Sequence, residues 1–148
     1  MKILVINGPN LNMLGSREPE IYGKTTLDEI NCELVEFAKQ FSLDVEIDFF
    51  QSNHEGELVD KIQSTLNNYQ GLIINPAAYT HTSIAIADAL KSTSTPAIEV
   101  HLSNISSRED YRKVSYSAPN CLASVIGFGK DSYKLALLGL YNKIKENE

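Results

Sequence analysis

Several stretches of this sequence hold side chains whose types and spacing suit acid–base chemistry on a small anion. In Glu99-Val100-His101 a carboxylate and an imidazole stand two residues apart. On a strand such residues point to the same side, so the carboxylate would fix the imidazole tautomer and make the ring a usable general acid or base. A lone histidine near a strand end is more often structural; the Glu-x-His pairing is more specific. Just downstream, Arg108 and Arg112 are four apart and would share a face of a short helical turn. Exposed main-chain N–H groups of Leu102 and Ser103 can cradle an anion beside them. The plain alternative is a Ser-rich loop with a Glu/Arg ion-pair surface.

Two further stretches add hydrogen-bonding groups. In residues 75–83, Asn75 and His81 offer hydrogen bonds in both directions and suit the reading of hydroxyls. Thr80, Thr82 and Ser83 beside them read equally well as caps for the next helix. Residues 7–23 hold Arg17 and Tyr22 five apart, with neither of the glycine-rich nucleotide fingerprints. A packed Tyr and a solvated Arg would be the plain reading of that pair. Arg17, Arg108 and Arg112 are the only arginines in the chain. Arginine grips an anion with several planar donors, so three of them outside the regular elements point to a local anion site.

The elements that must position these groups are legible in the hydrophobic pattern. Residues 3–6, 45–50, 72–74 (opened by Gly71), 97–100 and 122–126 are short apolar runs and predict five strands. Between them, residues 26–41 place Leu27, Ile30, Leu34, Phe37 and Phe41 at helical spacing. Thr26 and Glu29 form a capping-box pattern at the start. Ser52 and Glu55 repeat that pattern before a helix carrying Leu58, Ile62 and Leu66. A third helix is predicted over residues 83–90, and a last one over about residues 131–145 with Tyr133, Leu137, Leu140 and Ile144 on one face.

Strands alternating with helices imply a parallel sheet covered on both faces. The expected fold is α/β, a flavodoxin-like three-layer sandwich with strand order 2-1-3-4-5, in one domain spanning residues 1–148. Ligands in such sheets bind beyond the carboxyl ends of the strands, near the topological switch point. All four chemical stretches fall at such strand ends. The connection after strand one is about eighteen residues, against about two to six for an ordinary βα loop. A lid at about residues 15–24 is the expectation.

The bulk properties narrow the partners. The chain has 148 residues and a net charge of −6, which argues against nucleic acid. Cys32 and Cys121 are too few for a disulfide framework, lack metal-ligand spacing, and have no functional reading. The apolar run at residues 3–6 is too short for a signal-peptide core or a membrane span, so a cytoplasmic location is the default expectation.

Taken together, the segments resemble the type II dehydroquinases nearly end to end. The likeness rests on residues 7–12 (Asn-Gly-Pro-Asn-Leu-Asn), 14–19 (Leu-Gly-Ser-Arg-Glu-Pro), 21–23 (Ile-Tyr-Gly), 51–56 (Gln-Ser-Asn-His-Glu-Gly), the loop after strand three, and 99–105 (Glu-Val-His-Leu-Ser-Asn-Ile). The resemblance implies dehydration of 3-dehydroquinate without metal or cofactor. It implies Tyr22 as the base, as a tyrosinate stabilised by Arg17 with help from Arg108, and Asn12 holding a water at the enolate oxygen. His101, oriented by Glu99, would be the general acid. Leu102, Ser103 and Asn75 would bind the carboxylate, and His81 and Arg112 the ring hydroxyls. Asp88 would reach a neighbouring subunit's site across a trimer interface, in a dodecamer of four trimers. A free tyrosine titrates at about 10. A base at neutral pH must titrate roughly three pH units lower, about 4 kcal/mol in favour of the anion, which an arginine in contact can supply.

Two positions depart from the family pattern. Ser106-Ser107 stand where His-Ala is frequent, and Lys113 where a histidine is common. Neither carries chemistry in the implied scheme; they bear on lid packing and local charge. Three other readings compete: a flavodoxin-like binding or signalling module, an enzyme for a different hydroxylated acid, and an inactive structural subunit. A receiver domain would want an acidic residue where Asn75 stands, and a flavodoxin a hydroxyl-rich loop after strand one.

Overall fold

The computed structural model describes residues 1–16, 20 and 24–147. Strands β1 (Lys2–Asn7), β2 (Glu46–Gln51), β3 (Gly71–Asn75), β4 (Ala97–His101) and β5 (Ala123–Ile126) form one sheet in the order β2-β1-β3-β4-β5. Every neighbouring pair is parallel. The long helices among the described residues are α1 (Leu27–Gln40), α2 (Glu55–Gln63), α3 (Ile84–Thr93) and α4 (Asp131–Lys145). This is the flavodoxin-like α/β arrangement and strand order expected from the sequence.

Alternation along the strands builds the two cores. Ile3, Val5, Ile73, Ile98 and Val100 pack with Ile30 and Leu34 of α1 and Tyr133 and Leu137 of α4. Leu4, Ile6, Leu72, Ile74 and Ala97 pack on the other face with Leu58 and Ile62 of α2 and Ile86 and Leu90 of α3. Strands β3 and β4 are buried along their whole length, as central strands covered on both faces must be.

The helix starts are set by local chemistry. Thr26 accepts a hydrogen bond from the Glu29 N–H while Glu29 accepts one from the Thr26 N–H, completing the expected capping box. Ser83 caps α3 by accepting from the Ile86 N–H at 2.9 Å. The capping box expected from Ser52 and Glu55 does not form. His54 is the N-cap of α2. Ser52 instead accepts from the His54 N–H at 2.9 Å and donates to the Glu57 carboxylate, because the chain turns two residues later than the pattern suggested.

The alternation of strand and helix also breaks once. Between β4 and β5 the chain forms three 3-10 turns, Ile105–Ser107, Asp110–Arg112 and Ala118–Asn120, in place of a helix. Residues 102–122 hold Ser, Asn, Pro and few regularly spaced apolar residues, so no face is available to bury.

Candidate active site

The carboxyl ends of β1, β3 and β4 meet at the switch point of the sheet, with Asn7 and Asn75 in register. A cleft opens there, of about 660 Å³ including its mouth, lined by the connections after those three strands. That volume suits a small molecule. Asn75, His81, His101, Leu102, Ser103, Arg108 and Arg112, all anticipated from the sequence, line it.

The floor is a buried pair. Glu99 Oε1 lies 2.7 Å from His101 Nε2, as the i, i+2 spacing requires. Glu99 also accepts from Thr80 Oγ1 at 2.7 Å and from Ser117 Oγ at 2.5 Å. Burial by itself would raise its pKa; the hydrogen bonds from His101, Ser117 and Thr80 outweigh that and hold it below the usual carboxylate value. A carboxylate only accepts, so Nε2 of His101 carries a proton and Nδ1 is left for the cleft. Thr80, one of three residues readable as caps, is therefore a partner of Glu99.

Asn75 is held by a one-way chain of hydrogen bonds. The Ala77 N–H donates to Asn75 Oδ1 (3.1 Å), Asn75 Nδ2 to the Tyr133 hydroxyl (2.9 Å), and that hydroxyl to Asn7 Oδ1 (2.6 Å). This fixes which end of the Asn75 amide is the donor. Burial pushes the Tyr133 hydroxyl above its ordinary pKa against the opposing bond from Asn75, so it stays neutral.

His81 Nδ1 sits 2.6 Å from the Val114 carbonyl. A carbonyl cannot donate, so Nδ1 holds the proton and Nε2 of the neutral ring accepts. The Leu102 and Ser103 N–H groups make no hydrogen bond among the described residues. Both residues line the cleft, which leaves these donors to an anion there.

The arginine wall differs from its expectation in one respect. Arg108 and Arg112 do not share one helical turn: Arg108 is extended between the 3-10 turns Ile105–Ser107 and Asp110–Arg112. Both still reach the cleft, and both approach Glu109, at 3.6 Å and 2.8 Å respectively.

The first connection is pinned from the side. Asn53 Oδ1 accepts from the Asn10 N–H at 2.9 Å, the Tyr79 hydroxyl donates to the Asn53 carbonyl at 2.9 Å, and Gln51 Nε2 donates to the Gly8 carbonyl at 3.2 Å. Gly8 is required by contact: a Cβ there would lie 2.6 Å from the Pro76 carbonyl oxygen.

Asn12 is exposed on the 3-10 turn Leu11–Met13 and Asp88 is exposed on α3; neither lines the cleft. Arg17, Tyr22 and most of the expected lid at 15–24 lie outside the described residues. Sequence reasoning did not name Tyr133, Asn7, Ser115, Ser117 or Asn53 as site groups. Among the described residues no group of three or more His, Cys, Asp or Glu side chains is placed to hold a metal, and no helix is long and apolar enough to cross a membrane.

The strand order, with a cleft at its switch point lined by histidines and arginines, defines a flavodoxin-like α/β protein with a small-molecule site. The dehydroquinase class II family model matches residues 1–141. A 3-dehydroquinate dehydratase of Geotalea daltonii is 58% identical over 146 residues, covering 99% of this chain and 100% of that protein. The type II dehydroquinase structure from Butyrivibrio crossotus superposes with a TM-score of 0.90 at 46% identity, covering 95% of this chain and 97% of that one. The one from Propionibacterium acnes gives 0.88 at 42%, covering 95% and 96%. The chain belongs to the dehydroquinase class II family.

Proposed function

We propose that this single domain, residues 1–148, catalyses the reversible dehydration of 3-dehydroquinate to 3-dehydroshikimate through an enolate, without metal or organic cofactor. The observation that carries the reading is the Glu99–His101 pair, buried at the end of β4 and opening into a cleft that also holds donors for an anion. Family membership selects the substrate.

In this reading Tyr22, as tyrosinate, takes a proton from the carbon beside the ketone, and the C–H electron pair becomes the enolate. Arg17 and Arg108 stabilise the tyrosinate. Asn12 holds a water against the enolate oxygen. The enolate then re-forms the ketone as the C–O bond one carbon further on breaks, and the leaving hydroxyl takes a proton from His101 and departs as water. Tyr22 is left protonated and His101 neutral, and proton exchange through solvent restores both. Leu102 and Ser103 N–H groups with Asn75 bind the carboxylate, while His81 and Arg112 bind ring hydroxyls; the accepting Nε2 of His81 suits a hydroxyl donor.

Asp88, exposed on α3 and away from its own cleft, would serve a neighbouring subunit in a trimer, four of which form a dodecamer. The setting is the cytoplasm and the shikimate route to aromatic amino acids. Purified protein in buffer with a chelator should turn 3-dehydroquinate into a conjugated enone, followed by ultraviolet absorbance. Tyr22→Phe should lose at least about 100-fold in kcat. Turnover that survives Tyr22→Phe overturns the base, and folded wild type with no turnover overturns the reaction.

A further inference from the structure

The Glu99 carboxylate is surrounded by hydroxyls that the acid–base scheme does not use. Thr80 Oγ1 and Ser117 Oγ donate to its two oxygens, and Ser115 Oγ lies 3.3 Å from Oε1. The hydroxyls also touch one another: Thr80 is 2.6 Å from Ser115 and 2.8 Å from Ser117. Each hydroxyl has one proton to give. With His101 Nε2–H, Thr80 and Ser117 make three donors on one side chain that is 1% exposed, and Ser115, whose proton goes to the nearer Thr80 oxygen, backs Thr80. A protonated Glu99 would need an acceptor, and Thr80 and Ser117 already point their protons at it.

The backbone is built to hold this cluster. The Tyr116 N–H donates to the Thr80 carbonyl at 2.8 Å, which fastens residues 114–117 to the loop after β3. Ser115 Oγ accepts from the Ala118 N–H at 2.9 Å and so closes the turn that brings Ser117 under the carboxylate. The hydroxyls thus arrive from two segments about 35 residues apart, Thr80 to Ser115 and Ser117.

We propose that Thr80, Ser115 and Ser117 are positioning residues: their hydroxyls hold Glu99 as an anion, with Oε1 turned to His101 Nε2, and thereby fix which ring nitrogen of His101 faces the cleft. This rests on His101 being the cleft acid. The other ionisable groups around the pair do not replace the hydroxyls. The Cys121 thiol is pushed up to about 12, by burial first and by the Glu99 charge second, and stays neutral. His81, Arg108 and Arg112 line the cleft; His81 is bonded to the Val114 carbonyl and both arginines approach Glu109. Asp88 and Lys91 of α3, which packs against the Ala118–Asn120 turn, are exposed.

The test uses the full chain with 13C-labelled glutamate and 15N-labelled histidine, followed by NMR against pH. Thr80→Val removes the hydroxyl and keeps the shape; Thr80→Ser keeps the hydroxyl; Ser117→Ala is a second deletion. Loss of a donor to the charged form raises a carboxyl's pKa by about one unit. Thr80→Val and Ser117→Ala should each move the Glu99 midpoint up by that amount, and Thr80→Ser should leave it near wild type. Where the ring is neutral, wild-type His101 should read as the Nε2–H tautomer alone, and the deletions should show a second tautomer. The acid limb of kcat for 3-dehydroquinate should move up with the Glu99 midpoint. A Glu99 midpoint unmoved in both deletions overturns the proposal. A midpoint that moves while the acid limb stays supports the positioning role and overturns His101 as the acid, so the two readings fail separately.

Discussion

At the sheet end of the cleft, Asn75, Glu99 and His101 are 2%, 1% and 5% exposed, and each is hydrogen-bonded to other buried groups. In the arginine wall, Arg108 is extended between two 3-10 turns, Arg112 ends the second of them, and the carboxylate both approach, Glu109, is half exposed. The first region is fixed before any ligand arrives. In the second, an incoming anion can displace an exposed carboxylate at little cost, since such ion pairs are worth little in water. The buried pair is held from several sides, while the arginine wall leans on a carboxylate that an anion can replace.

That contrast is open to direct attack. The largest effect should come from Tyr133→Phe, which removes the middle of the Asn75–Tyr133–Asn7 chain and leaves two buried amides short of a partner. The expected loss is about 2–3 kcal/mol of stability by denaturant unfolding, with a raised KM. Unchanged stability would show that the sheet end is not held as described. Arg112→Ala should do the reverse: KM for 3-dehydroquinate up by about tenfold, the worth of one charge-assisted hydrogen bond, and an unfolding midpoint close to wild type. A large drop in stability there would erase the distinction between the walls. The smallest effect belongs to Glu109→Gln, which removes the carboxylate charge that both arginines approach. It should alter KM by less than about fivefold, and less again at high salt.

Much of the sheet end was readable from the sequence. The Glu99–His101 contact follows from strand periodicity alone, and the strands, helices and Thr26 cap follow from local patterns. What escaped is what long-range packing decides. Asn7 and Tyr133 are 126 residues apart, and nothing in either neighbourhood encodes their bond. Tyr133 was legible as one more apolar position on a helix face, and its hydroxyl found a use only once α4 lay on the sheet. Thr80 looked like a cap because Ser83 three residues later is one. Ser115 and Ser117 drew no reading, because the turn that lifts them to Glu99 has no periodicity. The Ser52–Glu55 pattern misled for a related reason: the motif fits the helix start, but the Glu57 carboxylate reaches the hydroxyl.

Gly8 sets the mechanics of the cleft. Its N–H donates to the Asn75 carbonyl at 2.8 Å, and there is no space for a Cβ between it and Pro76. The two connections are therefore tied together where they leave β1 and β3, at Gly8 and at Asn75 and Pro76. A ligand seated at that rim is thus aligned to the sheet itself rather than to a loop that can drift from it.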